Sequence, residues 1–301
     1  MSEEVYHVPV MLNECMEALN IKPDGTYVDV TFGGGGHSKA ILERLSEEGR
    51  LFAFDQDPDA VNNAIDDDRF CLIEENFEKL EESLKLFRAG KVDGILADLG
   101  ISSHQIDCAS RGFSTRFEGD LDLRMNYKKG LTAADIVNSY SHEELCRIFS
   151  EYGELNNAYN IAKTIVAKQE SGLFSTTDLM ETLSKCAPKG KENKFFAKVF
   201  QALRIEVNQE LPCLKKMLEQ CEKVLAPEGR LVVMSYHSLE DRLVKNCMKS
   251  GNCDGKINKD FFGNVISPFE VLTRKPITAS LEEMEMNPRS RSAKLRIAKM
   301  K

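Results

Sequence analysis

Residues 28–37 read Val-Asp-Val-Thr-Phe-Gly-Gly-Gly-Gly-His, and this stretch decides the fold. The β-branched and aromatic residues of 26–32 predict a buried strand, and the apolar spacing of 37–45 predicts a helix. Consecutive glycines let the backbone between them turn tightly and approach a ligand in front of the helix N-terminus. The stretch therefore predicts a strand–turn–helix unit with a ligand at the turn.

The same alternation of strand and helix continues outward from this unit. Further strands are predicted at 50–55, 70–74, 92–99, 230–236, 269–273 and 293–297, and helical segments at 60–65, 77–87 and 212–225. Strands separated by helices of this length form right-handed crossovers in a parallel sheet. The sequence therefore predicts an α/β, doubly wound fold.

The alternation is interrupted in the middle of the chain. Residues 132–205 contain helical patterns and little else. We predict one α/β domain made of residues 1–105 and 206–301, with a mostly helical domain, 106–205, inserted into it for substrate recognition. The two ends of the insert leave and rejoin the chain beside the predicted crevice, so we expect the insert to build its other wall.

Several polar residues end predicted strands at the edge where doubly wound folds bind ligands. Asp55 follows Gly35 by 20 residues, the usual place for a carboxylate that binds ribose hydroxyls. Asp98 ends the fourth strand and His237 follows the fifth. Ser38 stands where a dinucleotide fingerprint requires glycine or alanine. This favours a nucleoside cofactor without a pyrophosphate.

Asp98 and His237 are the candidate catalytic residues. A methyltransferase has a nucleoside cofactor without a pyrophosphate and needs only a backbone turn around its methionine part. Methyl transfer from a sulfonium is an in-line displacement in which an enzyme mainly aligns the partners. An exocyclic amine is a poor nucleophile, and an acceptor such as Asp98 on its N–H groups can orient it. The structural alternative is that Asp98 only ends its strand. Ser238 and Asp241 resemble a capping box, and His237 either contacts a base or bonds locally.

The charge and composition of the chain limit the kinds of partner that it can bind. The chain of 301 residues carries a net charge of −8, yet residues 185–204 and 287–301 each hold six basic residues. These clusters permit RNA binding although the chain is acidic. The nine cysteines have no metal-binding spacing, so we expect buried thiols and no metal. No long apolar run or basic leader occurs, and we expect a cytoplasmic protein without a membrane partner.

The motifs together resemble one family, the bacterial 16S ribosomal RNA cytosine-N(4) methyltransferases, over nearly the whole chain. They are His7-Val-Pro-Val, Val30–His37, Phe54–Pro58, Asp98–Ser103, Arg111–Ser114, Asp122–Met125, Phe200–Ile205, Ser235–Arg242 and Asn287–Ser292. The resemblance implies a Rossmann-like methyltransferase fold, S-adenosylmethionine as cofactor, and cytidine 1402 of 16S rRNA, within the small ribosomal subunit, as target. The cofactor contacts that it implies are Gly35, Gly36, His37, Asp55, Phe77, Asp98 and Gln105.

Three alternatives remain open on the sequence. A carbon-5 cytosine methyltransferase needs a nucleophilic thiolate, and Cys213 follows a proline as in that class. A nicotinamide-dependent oxidoreductase fits less well because of Ser38. A non-catalytic assembly factor would use the fold only to bind rRNA. A base-stacking ring is also required, for which Phe113 and Tyr236 are the candidates.

Overall fold

The computed structural model describes residues 9–301, so His7 and Val8 of the first motif lie outside the described residues. The described chain divides into two compact units. The first contains the residues up to Gly100 together with Leu211–Lys301, and the second is Ile101–Glu210. In the described part of the chain, no helix has the length and apolar character needed to cross a bilayer.

The first unit is built on a seven-stranded sheet in the order β3-β2-β1-β4-β5-β7-β6. The strands are β1 Thr26–Asp29, β2 Arg50–Phe54, β3 Phe70–Ile73, β4 Val92–Asp98, β5 Leu225–Ser235, β6 Phe269–Val271 and β7 Lys294–Met300. Strands β1 to β5 pair in parallel, and β7 pairs antiparallel with both β5 and β6. The predicted α/β, doubly wound class is confirmed.

Helices pack on this sheet within the same unit. They are α1 Leu12–Leu19, α2 Gly36–Leu42, α3 Leu80–Leu86, α10 Glu210–Val224, α11 Ser238–Ser250 and α12 Leu281–Met286. The central strands are apolar and almost fully buried, for example at Phe54, Ile95 and Leu231. Burial on both faces is what parallel strands covered by helices require. The strand ends of β1, β2, β4 and β5 are therefore fixed in position by a rigid core.

The second unit is helical and has its own core. Its helices are α4 Ser103–Asp107, α5 Ala133–Ser139, α6 His142–Glu151, α7 Ala158–Val166, α8 Thr176–Leu183 and α9 Glu192–Asn208. Ile136, Phe149, Ile161 and Leu203 lie in one buried cluster. Reciprocal capping boxes begin α4, α5, α6 and α8. Residues close in sequence therefore determine where these helices start.

One predicted helix takes a different form. The segment predicted as helical at 60–65 is a 3-10 helix, Pro58–Asn63. Asp57 caps it by accepting the N–H of Asp59 at 3.1 Å. The Asn63 side chain donates to the carbonyl of Gly33 at 3.0 Å. This hydrogen bond links the end of the 3-10 helix to the glycine turn. The local sequence pattern does not reveal such a contact between distant residues.

Candidate cofactor and active site

The glycine turn between β1 and α2 has a shape that other residues do not fit. Gly33 and Gly35 have φ of 51° and 76°, in the left-handed region. A Cβ on Gly36 would lie 2.3 Å from Cγ of Pro9, a rigid ring. Backbone conformation thus favours glycine at 33 and 35, and lack of space requires it at 36. The turn leads directly into the N-terminus of α2, which begins at Gly36.

Asp55, directly after β2, closes this turn. Its Oδ2 accepts the N–H of Gly33 at 2.8 Å, and its Oδ1 accepts the N–H of Asp57 at 2.8 Å. Burial raises the pKa of Asp55 to about 6, against the opposing effect of these two hydrogen bonds. Each carboxylate oxygen can accept a further bond. The structure therefore places an acceptor at the glycine turn.

A buried acid that our sequence reasoning missed supports the turn from behind. Asp29 is 1% exposed, its Oδ2 accepts the hydroxyl of Ser38 at 2.8 Å, and its Oδ1 accepts the N–H of Thr31 at 3.1 Å. The Thr31 hydroxyl in turn accepts the N–H of Asp98 at 2.7 Å. Ser38 thus ties α2 to β1. The signal in the sequence was an acid inside an otherwise apolar strand.

Asp98 ends β4 between two polar side chains. Its Oδ1 accepts the Tyr236 hydroxyl at 2.7 Å, and its Oδ2 lies 3.9 Å from Nδ1 of His37. Burial raises the pKa of Asp98 to about 6, and His37 and Tyr236 oppose that rise. The other His37 nitrogen, Nε2, lies 3.1 Å from the carbonyl of Val10. Because a carbonyl only accepts, Nε2 carries a proton, and Nδ1 is the ring nitrogen on the side of Asp98.

Tyr236 is fixed in its position on Asp98. Its ring lies against Gly100, where a Cβ would be 3.4 Å from Cδ2 of the ring. Burial and the neighbouring carboxylate of Asp98 raise the pKa of Tyr236 well above its usual value. The hydroxyl is therefore a permanent donor to Asp98. The other stacking candidate, Phe113, packs in the core of the second unit, which does not fit a stacking role.

The capping box predicted on Ser238 and Asp241 is wrong by one residue. Helix α11 begins at Ser238 with His237 as its cap. Glu240 reaches back and accepts the N–H of Tyr236 at 3.0 Å. Asp241 instead binds Arg296 of β7, at 2.6 and 3.1 Å. The strand partner competes for the carboxylate, and this contact cannot be read from residues 238–241 alone.

The ring of His237 is buried beside Glu240, its partner in the capping box of α11. Its side chain is 9% exposed, and Nε2 lies 3.2 Å from Oε1 of Glu240. Within residues 9–301 the ring nitrogens have only these contacts with Glu240, and neither contact has the geometry of a good hydrogen bond. A buried polar group without a bond is costly. The ring therefore has capacity for a group that is not part of this chain.

The two other predicted cofactor contacts lie on different units. Phe77 opens a 3-10 turn after β3 and packs, partly buried, against the core of the first unit. Gln105 is a buried residue of the second unit. Its side chain accepts the N–H of Ser102 at 3.0 Å in the capping box of α4.

Cys213 has the wrong surroundings for a nucleophile. It is buried on α10, and its Sγ lies 3.8 Å from Oε2 of Glu78. Burial, with Glu78 as the next cause, raises the pKa of Cys213 to about 11. Since the thiolate is the reactive form, this thiol stays protonated at neutral pH. The geometry disfavours carbon-5 chemistry.

Known methyltransferases are similar to this chain over nearly its whole length. The model of the MraW methylase family matches residues 4–301. The ribosomal RNA small subunit methyltransferase H of Parabacteroides distasonis is 55% identical over 98% of both chains. The protein of the same name from Flavobacterium psychrophilum is 55% identical over 97% of this chain and 100% of its own. A solved rRNA methylase of Streptococcus thermophilus aligns with 96% of this chain and 93% of its own, at a TM-score of 0.40 and 12% identity.

Proposed function

The chain belongs to the MraW methylase family, and from this premise we propose that it methylates the exocyclic N(4) amine of cytidine 1402 in 16S rRNA. The methyl donor is S-adenosylmethionine. One observation carries the proposal. The glycine turn with Asp55 and the Asp98–Tyr236 pair lie at the carboxyl ends of adjacent strands in a full-length relative of small-subunit rRNA methyltransferases. We place the reaction in the cytoplasm, on the small ribosomal subunit.

The glycine turn and its neighbours fit the cofactor. Asp55 has acceptor capacity for ribose hydroxyls, and Gly35 and Gly36, which carry no side chain, lead into α2 ahead of His37. Asp98 ends β4, the strand next to β1. Phe77 and Gln105 are the remaining proposed cofactor contacts. When bound, the cofactor supplies a methyl group on a positively charged sulfur. The carboxylates of Asp55 and Asp98 have the sign that compensates such a charge.

The protein's own residues prepare the amine. For each methyl group that the amine gains, it loses one proton. The Asp98 carboxylate accepts an N–H of the amine and aligns it, while the Tyr236 hydroxyl fixes the orientation of Asp98. His237, whose Nε2 lies 3.2 Å from Glu240, is the proposed acceptor of the proton. Asp98 and His237 are therefore the proposed catalytic residues, and Tyr236 is a positioning residue.

Analysis of the product tests this function. The purified protein, 16S rRNA or small subunits, and S-adenosylmethionine are incubated, and the nucleosides are identified by mass spectrometry. N(4)-methylcytidine in the RNA is the expected product. 5-Methylcytidine would revive the carbon-5 alternative. Cofactor binding without any methylated nucleoside would favour the non-catalytic assembly factor.

Replacing Cys213 by serine should leave most of the activity. The amine itself attacks the methyl group, so no covalent bond between enzyme and base is needed, and the thiol of Cys213 is protonated. The measurement is the initial rate of methyl transfer, with melting temperature as a control for folding. A folded but inactive Cys213→Ser protein would contradict the proposed chemistry.

We propose that the second unit recognises the RNA substrate through its lysines. Lys189, Lys191 and Lys194 are exposed. None of these three forms a salt bridge to a described residue, whereas Arg204 of the same cluster binds Glu210 at 2.7 Å. The basic cluster at 287–301 is used differently, because several of its members are in ion pairs of the first unit, among them Arg296 and Lys299. The free lysines are thus the better phosphate ligands.

Replacing Lys189, Lys191 and Lys194 together by glutamine should weaken RNA binding and reduce its salt dependence. Each lost phosphate contact lowers the slope of log K against log salt by about 0.7 to 0.9. Filter binding across a salt series measures this slope. The matched control removes the same charge from lysines that glutamates already pair, namely Lys79, Lys85 and Lys216. Equal slopes for both variants would show that Lys189, Lys191 and Lys194 face solvent and do not contact phosphates of the RNA.

A further inference from the structure

An exposed hairpin of the first unit displays two aromatic rings to solvent. It lies between α11 and β6, and its tip reads Lys259-Asp-Phe-Phe-Gly-Asn264. Phe261 is 99% exposed and Phe262 85% exposed, and their rings meet edge to face at 5.7 Å. Ile257 and Ile266 at the base of the hairpin are also more than half exposed. Apolar surface concentrated in this way marks an interaction site rather than scattered surface residues.

The tip is held in one shape by its own hydrogen bonds. Asp260 Oδ1 accepts the N–H groups of Phe262 and Asn264 at 2.9 and 2.8 Å, and its Oδ2 accepts the Asn264 amide at 3.0 Å. The N–H of Asp260 donates to the carbonyl of Asn264 at 2.9 Å. The rings are therefore presented by an ordered turn, so a partner does not have to order the backbone on binding.

The base of the hairpin is anchored as well. The N–H of Ile266 donates to the carbonyl of Asn258 at 2.8 Å, and Ser267 donates to the carbonyl of Met248 at 3.3 Å. The Nζ of Lys301 donates to the carbonyl of Ser267 at 2.8 Å. These bonds join the hairpin to α11 and β7.

The hairpin is attached at the end of the sheet opposite the cofactor site. It leads into β6 at Phe269, which pairs with Met300, while the neighbouring residue Lys299 pairs with Arg230. Arg230 lies beside Gly94, near the start of β4. From Gly94 to Asp98 the strand rises by roughly 13 Å. A group bound at the hairpin therefore lies well away from the cofactor site.

Local charge favours a nucleic acid as this partner. Lys256 and Lys259 are exposed on the hairpin. Asp254 beside them is paired with Lys215 at 3.0 Å, so residues 252–264 together with Lys215 hold three lysines against two acids. Exposed aromatic rings next to lysines bind single-stranded nucleic acid, since bases stack on the rings and lysines neutralise phosphates.

We propose that the hairpin 256–266 is a second RNA-binding site, where unpaired bases of the rRNA substrate stack on Phe261 and Phe262. The proposal rests on the proposed function for the identity of the RNA. It gives the enzyme a hold on its substrate outside the active site, so that recognition extends beyond the target cytidine. Binding of unpaired bases fits a substrate whose loops and bulges are exposed.

A single tryptophan provides the direct test. The chain contains no tryptophan, so Phe262→Trp places one fluorophore on the hairpin. Titration with transcribed 16S rRNA should quench its emission, because bases stacked on an indole quench it. The matched control is Leu86→Trp, at a position that is 78% exposed on the acidic helix α3, and its emission should stay the same.

A second experiment separates stacking from charge. The double variant Phe261→Leu, Phe262→Leu should bind 16S rRNA roughly tenfold or more weakly at an unchanged salt slope. Lys256→Gln with Lys259→Gln should reduce the slope. Calorimetric affinity for S-adenosylmethionine, equal to that of the parent, shows that each variant is folded.

Two results would overturn the proposal. One is unquenched Phe262→Trp emission at saturating RNA together with parental RNA affinity of the double leucine variant. The other is a blue shift of the Phe262→Trp emission, without quenching, when small-subunit ribosomal proteins free of RNA are added. That result would assign the hairpin to a protein partner. Failure of the proposed function is distinct, since it appears as absence of N(4)-methylcytidine with the parent protein, whatever the hairpin binds.

Discussion

Replacing Asp55 by alanine is expected to weaken S-adenosylmethionine binding by about 2 to 3 kcal/mol, or roughly 30- to 150-fold. The carboxylate is the proposed acceptor for both ribose hydroxyls, and such charge-assisted bonds are among the stronger ones. The variant also loses the acceptor for the N–H of Gly33, so part of the loss reflects a looser glycine turn. Asp55→Asn keeps an acceptor oxygen without the charge, so its affinity for S-adenosylmethionine should lie between those of the parent and of Asp55→Ala.

Calorimetry at pH 7.5 measures this loss, and Asp93→Ala is the matched control. Asp93 also accepts a backbone N–H, from Thr26 at 3.0 Å, but it lies at the start of β4, away from the site. That variant should keep the parental cofactor affinity. Parental affinity of a folded Asp55→Ala protein would instead remove Asp55 from the cofactor site.

Cofactor binding should also depend on pH. Asp55 has a pKa raised to about 6, and ribose hydroxyls donate to its ionised form. The binding constant should therefore rise with pH up to about 6 and level off above it. For the cofactor-free protein the sign is opposite. A carboxyl whose pKa is raised on folding contributes more stability at low pH, and this contribution is lost as pH rises from about 4 to 6. Calorimetry in an Asp98→Asn background isolates Asp55.

The strand–turn–helix unit at 28–37 was predictable because every local cue in it agrees. The β-rich run, the glycines and the apolar helix spacing all act within ten residues. The roles of Asp55 and Asp98 as strand-end acids followed from the same reasoning, because parallel strands bring their carboxyl ends to one edge. The observed units end at Gly100 and Glu210, whereas the pattern of helices placed the insert at 106–205.

The parts that the sequence did not reveal depend on contacts between distant residues. Tyr236 and Asp98 are 138 positions apart, and no periodicity links them. Asp241 is taken by Arg296, so a plausible local capping box does not form. β7 enters between β5 and β6 in the antiparallel direction, although its composition is that of any buried strand. Register, strand order and partner choice are settled by packing, which one sequence does not show.

Replacing Asp98 by asparagine is expected to lower kcat about 100- to 1000-fold, or about 3 to 4 kcal/mol. Asparagine has nearly the same shape but lacks the charge that aligns the amine and compensates the positive charge that develops on it. The effect should fall on kcat more than on KM for RNA. Single-turnover methylation with labelled cofactor measures it. A folded Asp98→Asn protein with parental kcat would leave Asp98 as a mere strand end.

Tyr236→Phe tests positioning through the pH profile, a property that a purely structural role would not move. The Tyr236 hydroxyl donates to Asp98 and so lowers the pKa of that carboxyl. Without it, the acidic limb of the rate profile should shift to higher pH, and kcat at neutral pH should fall roughly tenfold. His237→Gln is the companion variant, because it removes the ring proposed to take the proton. If His237 is that acceptor, its variant loses rate even at high pH, where Asp98 is fully ionised. An unshifted pH–rate profile for Tyr236→Phe, together with a parental rate for His237→Gln, would contradict both roles. Asp98 alone would then orient and deprotonate the amine.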